Sequence, residues 1–397
     1  MRRIIAIGLA ALTLFAIAIG GGSAPRAAFA QGAAPASTAR ASAGKPQHVF
    51  IIILENEDFE TTFAANSDAP YLSKELTSKG ELLTQYYGIG HDSLDNYIAI
   101  VSGQAPTPQT QGDCIRQYSF QDFAPAEAAL DHDGQVHGSG CVYPATVSTI
   151  ANQLEAKGLT WGGYMEDMSR SCQHPELNQP DDHVTAKADD QYATRHNPFV
   201  YFHSIIDHPT CSAHDLPITR LDEDLKSVAT TPNLVFITPN LCNDGHDGPS
   251  AICEGGHLKS ADRFLQRMVP KILESPAYRQ DGMLIITFDE AKVGYDLVHA
   301  IDPAKTDATA CCHEPAGPNV SQPGLTGPGG GRIGAVILSP DVKAGSVNDT
   351  PYNHYALLRG LEDLFGLDHL GYARDHRLNS FDAVFNLKAS GIASPLP

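Results

Sequence analysis

Ser93 lies in GHDSLDNYIAIVSG, Gly90 to Gly103, where a polar hexad, His91 to Asn96, runs straight into an apolar stretch, Tyr97 to Val101. A serine just ahead of a helix that starts near Leu94–Asn96 can simply cap it. It can also be a nucleophile, because the N–H groups and dipole of a helix start favour an oxyanion. That second role needs a base or a metal to draw off the hydroxyl proton. Glu55-Asn56 and Asp289-Glu290 offer hard oxygen donors suited to a divalent cation such as Ca²⁺ or Mg²⁺. His91, His246 and His354 can donate to phosphate oxygens or carry protons. The stretch PNLCNDGHDG, Pro239 to Gly248, adds Asn240, Asn243 and Asp244. An activatable serine, oxygen donors and histidines together suit the handling of a phosphate group.

These residues follow elements that can position them. HVFIIIL (His48–Leu54), NLVFIT (Asn233–Thr238), GMLIITF (Gly282–Phe288) and IGAVILS (Ile333–Ser339) are short, β-branched and bounded by polar or turn residues. Continuous apolar runs of this length read as strands buried on both faces. Helical patterns lie between them at Tyr71–Lys79, Val147–Lys157, Ala261–Leu273 and Tyr355–Leu364. The alternation predicts an α/β fold, a three-layer sandwich with a central, mostly parallel sheet. In such sheets ligands bind beyond the carboxyl ends of the strands. Glu55-Asn56, Asn240 to Asp244 and Asp289-Glu290 all stand there, and Asn353-His354 opens the last helix. The stretch from about 104 to 215 shows little periodicity and holds four cysteines, and reads as a disulfide-stapled insertion within one domain.

The N-terminus carries two arginines, an apolar run from Ile4 to Ile19 and an Ala28-Phe29-Ala30 end. This predicts a secretory signal peptide over residues 1–30, a mature start at Gln31 and a secreted or periplasmic protein. Residues 31–46 are rich in Ala, Ser, Gly and Pro and read as a flexible linker ahead of a single domain at 47–397. No later run is long and apolar enough for a stable membrane span. A formal net charge of −19 disfavours general nucleic-acid binding. Eight cysteines without a CxxC pair favour disulfides over a thiolate metal site. The neighbours Cys311 and Cys312 are expected to bond to two distant partners.

Taken together, HVFIIILENEDF, HDSLDNYIAIVSG, PNLCNDGHD, LIITFDEA, CCHEPAGPN, GGGRIGAVILSP and PYNHYALLRGLEDLFGL resemble the bacterial secreted phosphoesterases. That family holds acid phosphatases, phospholipase C enzymes and a phosphatidylinositol phosphatase, within the alkaline phosphatase superfamily. The resemblance spans about residues 47 to 385 and implies an alkaline phosphatase-like sheet. It implies Ser93 as nucleophile and one divalent metal held by Glu55, Asn56, Ser93, Asp289 and Glu290. It also implies phosphate contacts from His91, His246 and His354. Asn96, Asn240, Asn243 and Asp244 are then candidates for substrate binding. Two-metal relatives carry an Asp-x-x-x-His arrangement where this chain has Asn240 and Asp244, which favours a single metal. The expected activity is hydrolysis of a phosphate monoester, phosphoinositides included, through a phosphoserine. A phospholipase C-like phosphodiesterase would use the same site. An exported binding protein without catalysis is the alternative of another class.

Overall fold

A computed structural model describes residues 45–115, 119–382 and 384. The expected signal peptide and nearly all of the linker lie outside the described residues. Among the described residues ten strands appear in chain order: β1 His48–Leu54, β2 Glu81–Leu83, β3 Tyr86–Tyr87, β4 Trp161–Met165, β5 Asp215–Pro217, β6 Leu234–Thr238, β7 Gly282–Phe288, β8 Ala335–Leu338, β9 Ser346–Asn348 and β10 Tyr352–Asn353. Eight form one sheet in the order β5-β4-β6-β1-β7-β8-β2-β9, and β3 pairs with β10 separately. The strands β5, β4, β6, β1 and β7 are mutually parallel, while β8 runs antiparallel to both β7 and β2. This is the expected α/β architecture with a mostly parallel sheet.

The central strands are apolar on both faces and fully buried, as a sheet covered by helices requires. β1 pairs with β7 from His48↔Gly282 to Leu54↔Phe288. That register brings the two strands to an end together, so Glu55 and Asp289 emerge side by side. Expected and observed strands agree to within two residues at either end.

β4 escapes the sequence pattern because WGGYM places two glycines inside the strand. The structure needs at least one of them small. A Cβ on Gly163 would meet the Phe199 ring at 2.9 Å, and Phe199 packs on Trp161 with ring centroids 4.5 Å apart. β4 and the start of β5 lie in the stretch expected to be an insertion. That stretch does carry two disulfides, Cys114–Cys141 and Cys172–Cys211, but it also completes one side of the main sheet. The expectation for Cys311 and Cys312 is overturned: Cys242 pairs with Cys253, and the two neighbours bond to each other.

The helices follow their capping chemistry. Ile150–Ala156 starts later than its apolar pattern because Thr149 and Asn152 form a reciprocal capping box. The last helix, His354–Phe365, is capped by the Asn353 side chain and ends at Gly366 with φ 66°. Glu362 in that helix is fully buried. Its Oε1 accepts from the Leu370 N–H at 2.9 Å, and Oε2 has no partner. Burial pushes its carboxyl from the ordinary 4.5 up to about 9. Folding therefore takes up a proton at neutral pH, and this group's stabilising contribution is lost as pH rises from about 4.5 toward 9. Glu362→Gln should leave the melting temperature unchanged at pH 4 and raise it at pH 8 by about 2 °C or more. Melting curves at both pH values test this, and a gain that is absent at pH 8 refutes it.

Candidate active site

The helix Ser93–Ser102 begins at Ser93 itself, with Asp92 in the N-cap position. Ser93 is thus the first helical residue and not the cap. It is 5% exposed, and its Oγ donates to Glu55 Oε2 at 2.7 Å. The other oxygen of Glu55 accepts from the Tyr97 hydroxyl, one turn along the same helix. The end of β1 and the start of the helix are therefore joined through one carboxylate.

Asp289 closes this group. Its N–H donates to Leu54 O at 2.9 Å, and its Oδ1 accepts from the Asn56 N–H at 2.9 Å. Asn56 has φ 42°, a left-handed turn that an asparagine tolerates. Its Nδ2 donates to Glu290 Oε1 at 2.6 Å. Asn56 Oδ1 and Asp289 Oδ2 are both buried without a hydrogen-bond partner. Burial raises the Glu55 pKa well above the usual carboxylate range, and the negative charges of Asp289 and Asp244 raise it further. Burial likewise pushes Asp289 up to about 7. Glu55, Asp289 and Asp244 therefore resist ionising together.

Glu290 is turned away from the centre. Its second oxygen is engaged by His91 Nδ1, and His91 Nε2 contacts Asp307 O at 3.0 Å. Among the described residues, the one group of three His, Cys, Asp or Glu donor atoms within 4.8 Å of one another is Cys172, Cys211 and Asp215. Both of those sulfurs are tied up in a disulfide. Glu55, Asp289 and Glu290 do not converge to that distance, because Glu290 is held by Asn56 and His91.

The remaining expected residues divide into two groups. His354 is buried, with Nδ1 3.2 Å from the Tyr86 hydroxyl and Nε2 2.6 Å from Asp289 O. Burial lowers its pKa to about 4, so the ring is neutral and holds the Asp289 backbone. Asn96 accepts from the N–H groups of Ile89 and Gly90 and donates to the carbonyls of Gly90 and Asp92. It shapes the loop ahead of Ser93 with all its hydrogen-bonding capacity on the backbone. Asn240 and Asn243 are joined to Glu166, and Asn240 also to Asp167 and Gln191. Asp244 is nearer the centre: its carbonyl accepts from the Glu55 N–H at 2.9 Å, and its buried Oδ2 has no hydrogen-bond partner. His246, in the same loop, has its side chain 47% exposed and Nδ1 3.8 Å from Asp247 Oδ1.

Three participants had no signal in the sequence. His196 stacks on the Tyr97 ring with centroids 5.5 Å apart and planes 12° apart. Its Nε2 stands 3.3 Å from Glu55 Oε2, without hydrogen-bond geometry. Burial, then the nearby Arg195, pushes its pKa well below the usual value, so the contact is with a neutral ring. Arg195 is 8% exposed, and its Nε lies 3.3 Å from Asp113 Oδ2. Asp113 Oδ1 in turn accepts from the Leu94 N–H at 2.9 Å, occupying one donor of the helix start. His196 and Arg195 come from a short 3₁₀ turn, Thr194–His196, inside the aperiodic stretch.

The site is thus a buried serine at a helix start, bonded to a strand-end carboxylate on an α/β sheet. The Phosphoesterase family model matches residues 62–368, and the chain belongs to that family. It is 28% identical over 323 residues to a phosphate-repressible acid phosphatase of Penicillium chrysogenum, covering 81% of this chain and 59% of that enzyme. The chain spans less than two thirds of the length of that enzyme and of three further fungal acid phosphatases. It is 23% identical over 372 residues to a phosphatidylinositol-3-phosphatase of Mycobacterium tuberculosis, covering 94% of this chain and 91% of the relative. A solved structure in the alkaline phosphatase superfamily, from Vibrio parahaemolyticus, superposes with a TM-score of 0.46 at 14% identity, covering 82% of this chain and 68% of that one.

Proposed function

We propose that the chain is an exported phosphomonoesterase in which Ser93 is the nucleophile. The hydrogen bond from Ser93 Oγ to Glu55 Oε2 at 2.7 Å carries this reading. Glu55 is placed to accept the hydroxyl proton as Oγ attacks phosphorus. The bond from phosphorus to the alcohol oxygen breaks, leaving a phosphoserine and an alkoxide that must gain a proton. We assign that step to His246, whose side chain is open to solvent, because both ring nitrogens of His354 are engaged. Water then attacks the phosphoserine and releases phosphate. Arg195 is buried and paired with Asp113, close enough to Glu55 and Asp244 for their charges to act on it.

One divalent cation fits the same place. Glu55, the unpartnered Asn56 Oδ1, the unpartnered Asp289 Oδ2 and Ser93 Oγ would hold it, with Glu290 orienting Asn56. When bound it would supply a lower pKa for the serine hydroxyl and stabilisation of phosphoryl charge. Export is supported by four disulfides, which persist in oxidising compartments. A signal peptide at 1–30 and one catalytic domain at 47–397 complete this reading.

Hydrolysis of p-nitrophenyl phosphate and of bis-p-nitrophenyl phosphate by purified protein, with and without chelator, tests it. The monoester should turn over faster and chelation should inhibit. Faster cleavage of the diester would make the chain a phosphodiesterase of the phospholipase C kind. No cleavage of either would leave a binding protein. Acid quenching during turnover of a labelled monoester should place the label on Ser93.

A further inference from the structure

We infer that a cavity built by the loops that follow β1 and β7 is a leaving-group subsite for a hydroxyl-rich alcohol, such as a sugar alcohol or cyclitol. The inference rests on the monoesterase reading above. The cavity encloses about 550 Å³, and its lining includes Glu57, Glu60, Asn66, Asp68, His257 and Lys292.

Its position follows from the chain. Glu57 stands two residues beyond Glu55 at the end of β1, and Lys292 two beyond Glu290 at the end of the adjacent, parallel β7. The N–H of His257 donates to Asp247 O at 3.0 Å, in the loop that carries Asp244 and His246. The three loops that build the catalytic group therefore also build this cavity.

The lining selects the guest. Each carboxylate already has a cation. Glu57, 1% exposed, takes Lys292 Nζ at 3.3 Å. Asp68 takes Lys259 at 3.5 Å, and Glu60 takes Arg332. A further phosphate or ammonium finds no uncompensated partner there. An acyl chain would strip water from paired charges without replacing their hydrogen bonds. No Phe, Tyr or Trp is among the described residues that line the space. Hydroxyl groups suit it, because they donate to carboxylates and accept from Lys292, Asn66 and His257.

The test compares kcat/KM of the purified full chain for mannitol 1-phosphate, hexyl phosphate and p-nitrophenyl phosphate. Wild type should prefer mannitol 1-phosphate over hexyl phosphate by about tenfold or more, the discrimination that a few polar contacts supply. Lys292→Met removes a donor, and Ala64→Leu fills the cavity wall without removing a hydrogen bond. Each should cut the preference by about fivefold or more. Ala64→Leu stands if loss of the Glu57 partner unfolds Lys292→Met, and melting curves show which has happened. Equal kcat/KM for the two alkyl esters, a preference for hexyl phosphate, or a preference unchanged in the folded variants overturns the subsite alone. No turnover of any of the three esters overturns the monoesterase reading and the subsite with it.

Discussion

Ser93→Ala should lower kcat for p-nitrophenyl phosphate by at least about a thousandfold, since losing a nucleophile removes the covalent route altogether. The substitution deletes one buried oxygen and leaves Tyr97 bonded to Glu55. The melting temperature should therefore stay within about 4 °C of wild type, the shift that ~1 kcal/mol gives in a large domain. Steady-state kinetics, a melting curve and acid-quench labelling check the three parts. Activity above about a tenth of wild type, from protein shown free of contaminating phosphatase, would mean that Ser93 only positions other groups.

Removing the proposed cation should have the second largest effect, and its pH dependence has a definite sign. Burial raises the carboxyls of Glu55, Asp289 and Asp244 in the folded protein, Asp289 to about 7. Without a cation these groups favour the fold most when protonated. The metal-free protein should then be most stable at low pH and lose stability as pH climbs toward about 7. A bound cation replaces the protons, so chelation should cost little at pH 4.5. At pH 7.5 it should lower the melting temperature by about 5 °C or more, as loss of any ligand that binds only the native state does. Asp289→Asn removes one donor and one buried charge. That variant should hold less metal by elemental analysis, turn over at least about a hundredfold more slowly, and melt at the same temperature with and without chelator. A chelator effect as large at pH 4.5 as at pH 7.5 would place the cation away from these carboxylates.

The parts of the fold that can be read from residues are those where one physical demand dominates. β1 and β7 must be apolar on both faces, so seven-residue runs mark them to the residue. Glu55, Asn56, Asp289 and Glu290 follow because a parallel sheet ends where polar residues begin. β4 was hidden because close packing against Phe199 demands glycine, which carries no periodic signal. His196, Arg195 and Asp113 were hidden for a related reason. They reach Glu55 and Leu94 through tertiary folding of a stapled loop, and no local pattern encodes that meeting. Ser93 was legible as a helix-start residue, but the choice between cap and first turn depended on Asp92, a distinction of one position. Glu290 was legible as a strand-end acid, yet its engagement with His91 follows from the folded loop before Ser93.

The placement of β1 between β6 and β7 bears on how the protein comes to be active at all. β1 leaves the ribosome long before either neighbour exists. Until both arrive it is a seven-residue apolar strand with two open edges, the kind of segment that seeks other chains. Pairing it requires closing two long loops, which makes the final step slow. Because Glu55 meets Asp289 only when β1 and β7 are in register, the proposed centre forms only with the central sheet. In refolding from denaturant, recovered turnover should track the last and slowest phase of sheet formation.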